Sequence, residues 1–226
     1  MVSKRKYTFE SLESIVSFYE GIKIAERTVA TEKPDLIVGP LRGAEPIIES
    51  MRVIASLEGR EFPQVVYIET GCIDHVFDGM VRKNPVSLNV EQKLGIVMSR
   101  LAPYLDNHGG KLSVLIVDEV ERGGSIVKNY DLVNKALHFS CSQANYDLKA
   151  VAICGPQDKC AKFEQLTRMG KIIPVYVRDL FTVDKTKFLS PLIRRSDDVR
   201  REGTYPMDLK PKLYTQIADL HNNRHV

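Results

Sequence analysis

Short, continuously apolar segments recur along this chain, and stretches with helical periodicity separate most of them. The five segments with strand character are 36–38, 65–68, 112–117, 148–154 and 172–177. Strands this uniformly apolar are buried on both faces, which is typical of a parallel sheet between two layers of helices. The sequence therefore predicts an α/β fold with a doubly wound, mostly parallel five-stranded sheet.

Apolar residues at helical spacing predict the elements between these strands. The predicted helices occupy 9–25, 47–54, 91–105, 126–137 and 163–166. The stretch 70–88 lacks periodicity and carries glycines and a proline, so we expect a long mobile loop there. After Asp179 the chain is rich in proline and charge, which predicts irregular structure.

The length of 226 residues suits one well-buried domain with appendages. We expect an α/β core at 1–180, which includes the N-terminal helix. Residues 181–226 are expected to form a cap, part of a small hood built from the termini, or an oligomer contact.

Composition and charge exclude several classes of protein. Hydrophobic residues make up 43% and charged residues 27%, a balance that suits a globular fold and argues against disorder. The net charge of +3 is far below the dense basic surface of a nucleic-acid-binding protein. An anionic small molecule therefore fits this chain better than nucleic acid.

Targeting and redox signals are equally plain. No apolar run approaches the length of a membrane span, and no signal-peptide core follows the basic start of the chain. The four cysteines show no CxxC pairing, which indicates neither a zinc site nor a disulfide framework. We expect a cytoplasmic protein with free thiols and no membrane association.

The strongest predicted strand, 112–117, leads into residues suited to a phosphorylated sugar. Asp118 and Glu119 follow it, and Gly123, Gly124 and Ser125 begin the next helix. Glycines let backbone N–H groups approach a phosphate, and a helix N-terminus favours its charge. Carboxylates fit beside this anion site if a ribose donates hydroxyls to them and a divalent metal accompanies it.

A second candidate loop, 39–43, follows the first predicted strand and carries Arg42. Ligands of open parallel sheets bind beyond the carboxyl ends of the strands. We therefore expect both loops to contribute to the site.

Residues 114–125 resemble the ribose-phosphate signature of the type I phosphoribosyltransferases, which use 5-phosphoribosyl-1-pyrophosphate (PRPP). The spacing is most like that of the orotate branch. The loop 39–43 resembles the pyrophosphate loop of this family, in which an Arg or Lys precedes Gly. The order of elements agrees from about residue 35 to 177.

The resemblance implies roles for the residues after the central strand. Asp118 and Glu119 would bind the ribose hydroxyls and contact Mg²⁺ indirectly, through PRPP and water. Gly123, Gly124 and Ser125 would bind the 5-phosphate. Arg122 is a further candidate for phosphate contact, with a solvated side chain as the alternative.

The resemblance also implies roles for basic residues elsewhere. Arg42 and Gly43 would bind pyrophosphate, and Arg82 or Lys83 would close over the site from the long loop. The candidate catalytic residues are Arg42, Asp118 and Glu119.

The activity implied is a magnesium-dependent transfer of phosphoribose between pyrophosphate and a nitrogenous base, by a protein we expect to be a homo-oligomer such as a dimer. Departures from the signature favour an alternative. Glu119 stands where Asp is usual, and Gly123 and Ile126 stand where Thr or Ser is common. They fit a noncatalytic regulatory protein of the same fold that binds PRPP or a nucleotide. No signature identifies the base.

Two pairs of residues outside these motifs leave alternatives open. Tyr176 and Phe181 either flank a base ring or belong to the core. His221 and His225 lie one helical turn apart, where a frayed, solvated tail is favoured over a metal site.

Overall fold

In this computed structural model, the described residues are 12–40, 44–68, 76–77, 80–81, 88–105, 110–120, 122–140, 146–155, 158–177 and 209–223. In chain order the elements are α1 (Leu12–Glu32), β1 (Leu36–Pro40), α2 (Ala44–Leu57), β2 (Gln64–Ile68), β3 (Val76–Phe77), β4 (Met80–Val81), α3 (Val90–Leu105), β5 (Leu112–Val120), α4 (Gly124–Ser140), β6 (Tyr146–Cys154), α5 (Ala161–Arg168), β7 (Ile172–Tyr176) and α6 (Leu209–Asn223).

The five longer strands form one sheet in the order β2-β1-β5-β6-β7, and every neighbouring pair is parallel. The predicted doubly wound α/β fold is therefore confirmed. The strand order reverses between β1 and β5, because β2 is added on one side of β1 and β5 on the other. This point of reversal is where open α/β sheets bind their ligands.

Two hydrophobic cores cover the two faces of the sheet. Helices α3, α4 and α5 contribute to one core, and α1, α2 and α6 contribute to the other. Along β5, Val114 and Ile116 belong to the first core, whereas Leu115 and Val117 belong to the second. Successive side chains of a strand point to opposite faces, so a strand covered on both sides is apolar throughout.

Two regions differ from the sequence-based expectation. The stretch 70–88 contains a short antiparallel hairpin, in which β3 pairs with β4. The segment after Asp179 contains the helix α6, and its Leu213 and Ile217 are fully buried. Their spacing is helical, but Pro211 hid the signal because proline disfavours a helix interior and is tolerated only in the first turn.

Helix α6 packs on α1 and α2. It is the described part of the segment 181–226, and the division of the chain into a core and a cap stays a prediction. None of the helices in the described ranges is long and apolar enough to cross a bilayer.

A polar cluster connects α6 to α1 and to the turn after α2. Arg60 forms ion pairs with the buried Glu26 and with Glu58. On α6, Nδ1 of His221 lies 3.1 Å from the Tyr19 hydroxyl oxygen, and Nε2 lies 3.6 Å from Oε1 of Glu58. This cluster places paired charges where α1, α6 and the turn after α2 meet.

The burial of His221 corrects the interpretation of HNNRH as a solvated tail. Only 3% of His221 is exposed, because α6 docks this residue against α1. His225 lies beyond the part of the chain that the structure describes.

We expect Arg60→Met to lower the free energy of unfolding by about 2 to 3 kcal/mol, because the buried Glu26 carboxylate loses its cation. Urea unfolding measures the effect. Lys162→Met is a matched control, since it breaks the exposed ion pair with Asp131 and should cost less than about 1 kcal/mol. Equal losses in the two variants would show that the Glu26 pair is no more important than a surface contact.

Candidate active site

The two predicted loops leave the sheet from neighbouring strands. β1 and β5 pair in parallel from Leu36 opposite Val114 to Val38 opposite Ile116, so both strands end at the same edge. Of the first loop, Gly39 and Pro40 belong to β1. The structure thus places the start of one loop beside the other, at the reversal of strand order.

Several predicted site residues fall in ranges that the structure does not describe. They are Arg42, Gly43, Arg82 and Lys83. Their roles in binding pyrophosphate and closing the site stay predictions.

At Gly39 the backbone of β1 approaches two neighbouring side chains closely, which the sequence motif did not reveal. A Cβ atom at this position would lie 2.9 Å from the ring of Tyr67 on β2 and 2.5 Å from the side chain of Ile48. The Tyr67 hydroxyl donates to Oε1 of Glu49 at 2.7 Å. Burial and the bond to Glu49 raise the pKa of Tyr67, so this tyrosine stays a neutral donor. Its ring lies close to the backbone of β1 at Gly39.

The acidic pair lies within β5, which continues to Val120 instead of ending at residue 117. Its pairing with β6 includes Asp118 opposite Ala152 and Glu119 opposite Ile153. Since side chains alternate along a strand, Asp118 lies on the face covered by α4 and Glu119 on the face covered by α1 and α2. The two carboxylates therefore do not share one face of the sheet.

Asp118 is buried and accepts two hydrogen bonds. The backbone N–H of Glu119 donates to its Oδ1 at 2.9 Å, and the side-chain amide of Asn129 lies 3.5 Å from its Oδ2. Burial raises the pKa of Asp118 to about 7, and the two hydrogen bonds oppose this shift. The carboxyl group is therefore divided between its two protonation states near neutral pH, unlike an ordinary aspartate.

Gly123 has a φ of +84°, in the left-handed region that glycine adopts without strain. A Cβ atom there would lie 2.8 Å from the side chain of Phe163 on α5. The Gly123 carbonyl accepts a hydrogen bond from the N–H of Val127 at 3.2 Å. This bond belongs to the first turn of α4. Backbone conformation and packing therefore explain why this position holds a glycine.

Gly124 and Ser125 leave the beginning of α4 open. Both residues are exposed, and a Cβ atom on Gly124 would have no neighbour within 4 Å. The N–H groups of the first helical turn have no partners within the helix. This end of α4 is therefore open to solvent, and its binding of a phosphate stays a prediction.

The connection between β6 and α5 holds the turn before α4. The N–H of Cys160 donates to the Arg122 carbonyl at 2.9 Å, and the N–H of Gly155 donates to the Val120 carbonyl at 3.3 Å. Nζ of Lys159 donates to the Gly155 carbonyl at 2.8 Å. No sequence motif marked Lys159, which brings a cation to this edge. The side chain of Arg122 is exposed.

Tyr176 ends the edge strand β7 and is 63% exposed. The alternative that it is a core aromatic is therefore wrong. Its ring is exposed at the carboxyl edge of the sheet, and a role in flanking a base stays a prediction. Phe181 falls in a range that the structure does not describe.

Across the described ranges, no cluster of three or more His, Cys, Asp and Glu side chains could hold a metal ion. The carboxylate oxygens of Asp118 and Glu119 are of the kind that Mg²⁺ prefers, and contact through PRPP and water stays a prediction.

Comparison with known proteins gives no family assignment. No family model and no curated protein matches this chain. The crystal structure of a purine phosphoribosyltransferase from Pyrococcus horikoshii Ot3 matches at a TM-score of 0.34 and 12% identity, over 76% of this chain and 95% of that chain. This likeness is too low to carry an argument, so the fold assignment rests on the topology of the sheet.

We expect Gly123→Ala to lower the free energy of unfolding by about 2 kcal/mol or more, because a left-handed backbone and contact with Phe163 both oppose a Cβ atom. Gly124→Ala is the matched control and should gain about 0.5 to 1 kcal/mol, since alanine favours a helix. Thermal unfolding of both variants without ligand measures the difference. Equal melting temperatures would refute the constraint assigned to Gly123.

Proposed function

We propose that this chain binds PRPP, or the corresponding nucleotide, at the carboxyl ends of β1 and β5 and transfers its phosphoribosyl group. One observation carries the proposal. A carboxylate-bearing central strand leads directly into an open helix N-terminus, at the point where the strand order of the sheet reverses. Ligands of doubly wound sheets bind at such points, and these groups suit a ribose 5-phosphate.

Different residues at this edge bind different parts of the substrate. The first N–H groups of α4 and the Ser125 hydroxyl bind the 5-phosphate, aided by the helix dipole. Glu119 and Asp118 accept hydrogen bonds from the ribose hydroxyls. Arg42 and Gly43 bind the pyrophosphate, a role that rests on the sequence resemblance alone.

The reaction proposed is the displacement of pyrophosphate from carbon 1 of PRPP by a nitrogenous base, or its reverse. Its oxocarbenium-like transition state chiefly requires alignment of the reactants and neutralisation of the leaving group. Bound Mg²⁺ supplies charge neutralisation on the pyrophosphate. Arg42 would orient that group, and Arg82 or Lys83 would close over the site from the 70–88 stretch, roles that rest on the sequence resemblance alone.

A second candidate function is noncatalytic binding of PRPP or a nucleotide by a regulatory protein. The departures from the signature at Glu119, Gly123 and Ile126 favour it, because each removes or lengthens a phosphate or ribose contact. A cytoplasmic location and a homo-oligomeric state are proposed for either function.

Mixing the protein with PRPP, Mg²⁺ and a panel of purine and pyrimidine bases tests both candidates. We expect PRPP with Mg²⁺ to raise the melting temperature, because a ligand stabilises the state that binds it, and one base to release pyrophosphate. If PRPP stabilises the protein but no base releases pyrophosphate, the regulatory function is selected. If PRPP does not stabilise the protein and no base releases pyrophosphate, both functions are contradicted.

We expect Glu119→Gln to weaken PRPP binding about tenfold to a hundredfold, the equivalent of one charge-assisted hydrogen bond. Glu61→Gln is the matched control, because Glu61 is exposed and precedes β2 at the opposite edge of the sheet. Calorimetry with PRPP and Mg²⁺ measures both affinities. Parental affinity in the Glu119 variant would remove this residue from the ribose site.

A further inference from the structure

The buried face of α4 contains one polar exception. Its other buried residues are hydrophobic: Ile126, Val127, Tyr130, Leu132, Val133, Ala136 and Leu137. Asn129 lies among them and is 5% exposed. An amide in such a place costs free energy unless it is hydrogen-bonded, so its partner indicates what the residue does.

The amide of Asn129 is directed at the Asp118 carboxyl group, with Nδ2 3.5 Å from Oδ2. The other oxygen, Oδ1, accepts from the N–H of Glu119 at 2.9 Å. The two oxygens are therefore held by two different donors, one from the strand and one from the helix. This arrangement defines the orientation of the carboxyl group.

The ionisable groups nearby are bonded elsewhere. On α4, the Tyr130 hydroxyl donates to the carbonyl of Leu148, and on β6 the Cys154 thiol donates to the carbonyl of Ala152. Glu119 lies on the opposite face of the sheet. Among the residues that the structure describes, no cation pairs with Asp118, so the neutral amide of Asn129 is its side-chain partner.

We propose that Asn129 is a positioning residue, whose amide orients the Asp118 carboxyl group and favours its ionised form for accepting a ribose hydroxyl. This inference rests on the proposed function. It assigns Asn129 to the site although this residue lies eleven positions after Asp118 in the sequence and is buried away from the ligand.

The consequence is a change in pH dependence. Burial raises the pKa of Asp118, and the bond from Asn129 lowers it. Without this bond, the pKa rises further above about 7, and the carboxyl group is mostly protonated at neutral pH. PRPP binding should then be weakened at pH 7 and recover as the pH is raised through the new pKa.

Asn129→Leu tests this, because leucine keeps the branched shape of the side chain and removes the donor. The matched control is Asn134→Leu, an exposed asparagine of the same helix that bonds to Tyr146. Carboxyl ¹³C NMR, with the Asp118 signal assigned from Asp118→Asn, should give the same midpoint in the parent and the control. In Asn129→Leu the midpoint should rise by about one pH unit.

Calorimetry with PRPP and Mg²⁺ from pH 6 to 9 is the second readout. The affinity of Asn129→Leu should be about threefold to tenfold lower than that of the parent at pH 7 and should converge with it at pH 9. An unchanged Asp118 midpoint overturns the inference. A raised midpoint with a parental affinity profile also overturns it, since ionisation would then not affect ribose binding.

These readouts separate the inference from the proposed function. If the parent binds no PRPP at any pH, the proposed function fails, and with it the role in ribose binding. The NMR midpoint still decides whether Asn129 controls the ionisation of Asp118. Asn129→Ala removes the amide without adding bulk and carries the same expectations if the leucine variant does not fold.

Discussion

The backbone pairing of β5 with β1 and β6 is the constraint on which the candidate site depends. β5 pairs with β6 over all nine of its residues, from Leu112 to Val120. This pairing carries the strand past the acidic pair and separates Asp118 from Glu119 across the sheet. Because β1 lies on the other side of β5, the same strand also lies beside Gly39 and Pro40, the described start of the 39–43 loop.

Packing beyond the strand determines the shape of the turn that follows. Gly123 adopts a left-handed conformation beneath Phe163, and Cys160 bonds to the carbonyl of Arg122. These contacts come from α5 and from the β6–α5 connection, about forty residues along the chain. They hold the turn in place while the first residues of α4 stay exposed. Contacts that support an open helix N-terminus suit the proposed binding of a phosphate.

The two buried carboxyl groups of the described chain have different environments. Glu26 pairs with the guanidinium of Arg60, and the cluster joins α6 to α1. Among the described residues, Asp118 has only neutral donors, a backbone N–H and the Asn129 amide, so its charge is poorly compensated. A carboxyl group without a cation is costly to ionise, and such groups concentrate at functional sites. Glu26 is thus suited to stabilise the fold, and Asp118 to respond to a ligand.

The sequence by itself determined the α/β class, all five strands of the sheet and the position of the acidic and glycine-rich segment. Burial on both faces leaves a continuous apolar run, and helical packing leaves a period near 3.6, so both are readable locally. Only the tertiary structure decided that Asp118 faces Asn129, that Phe163 demands a glycine at 123, and that His221 is buried by α6. Each of these depends on which distant segment packs against a residue, and local periodicity records that a side chain is buried without recording its partner.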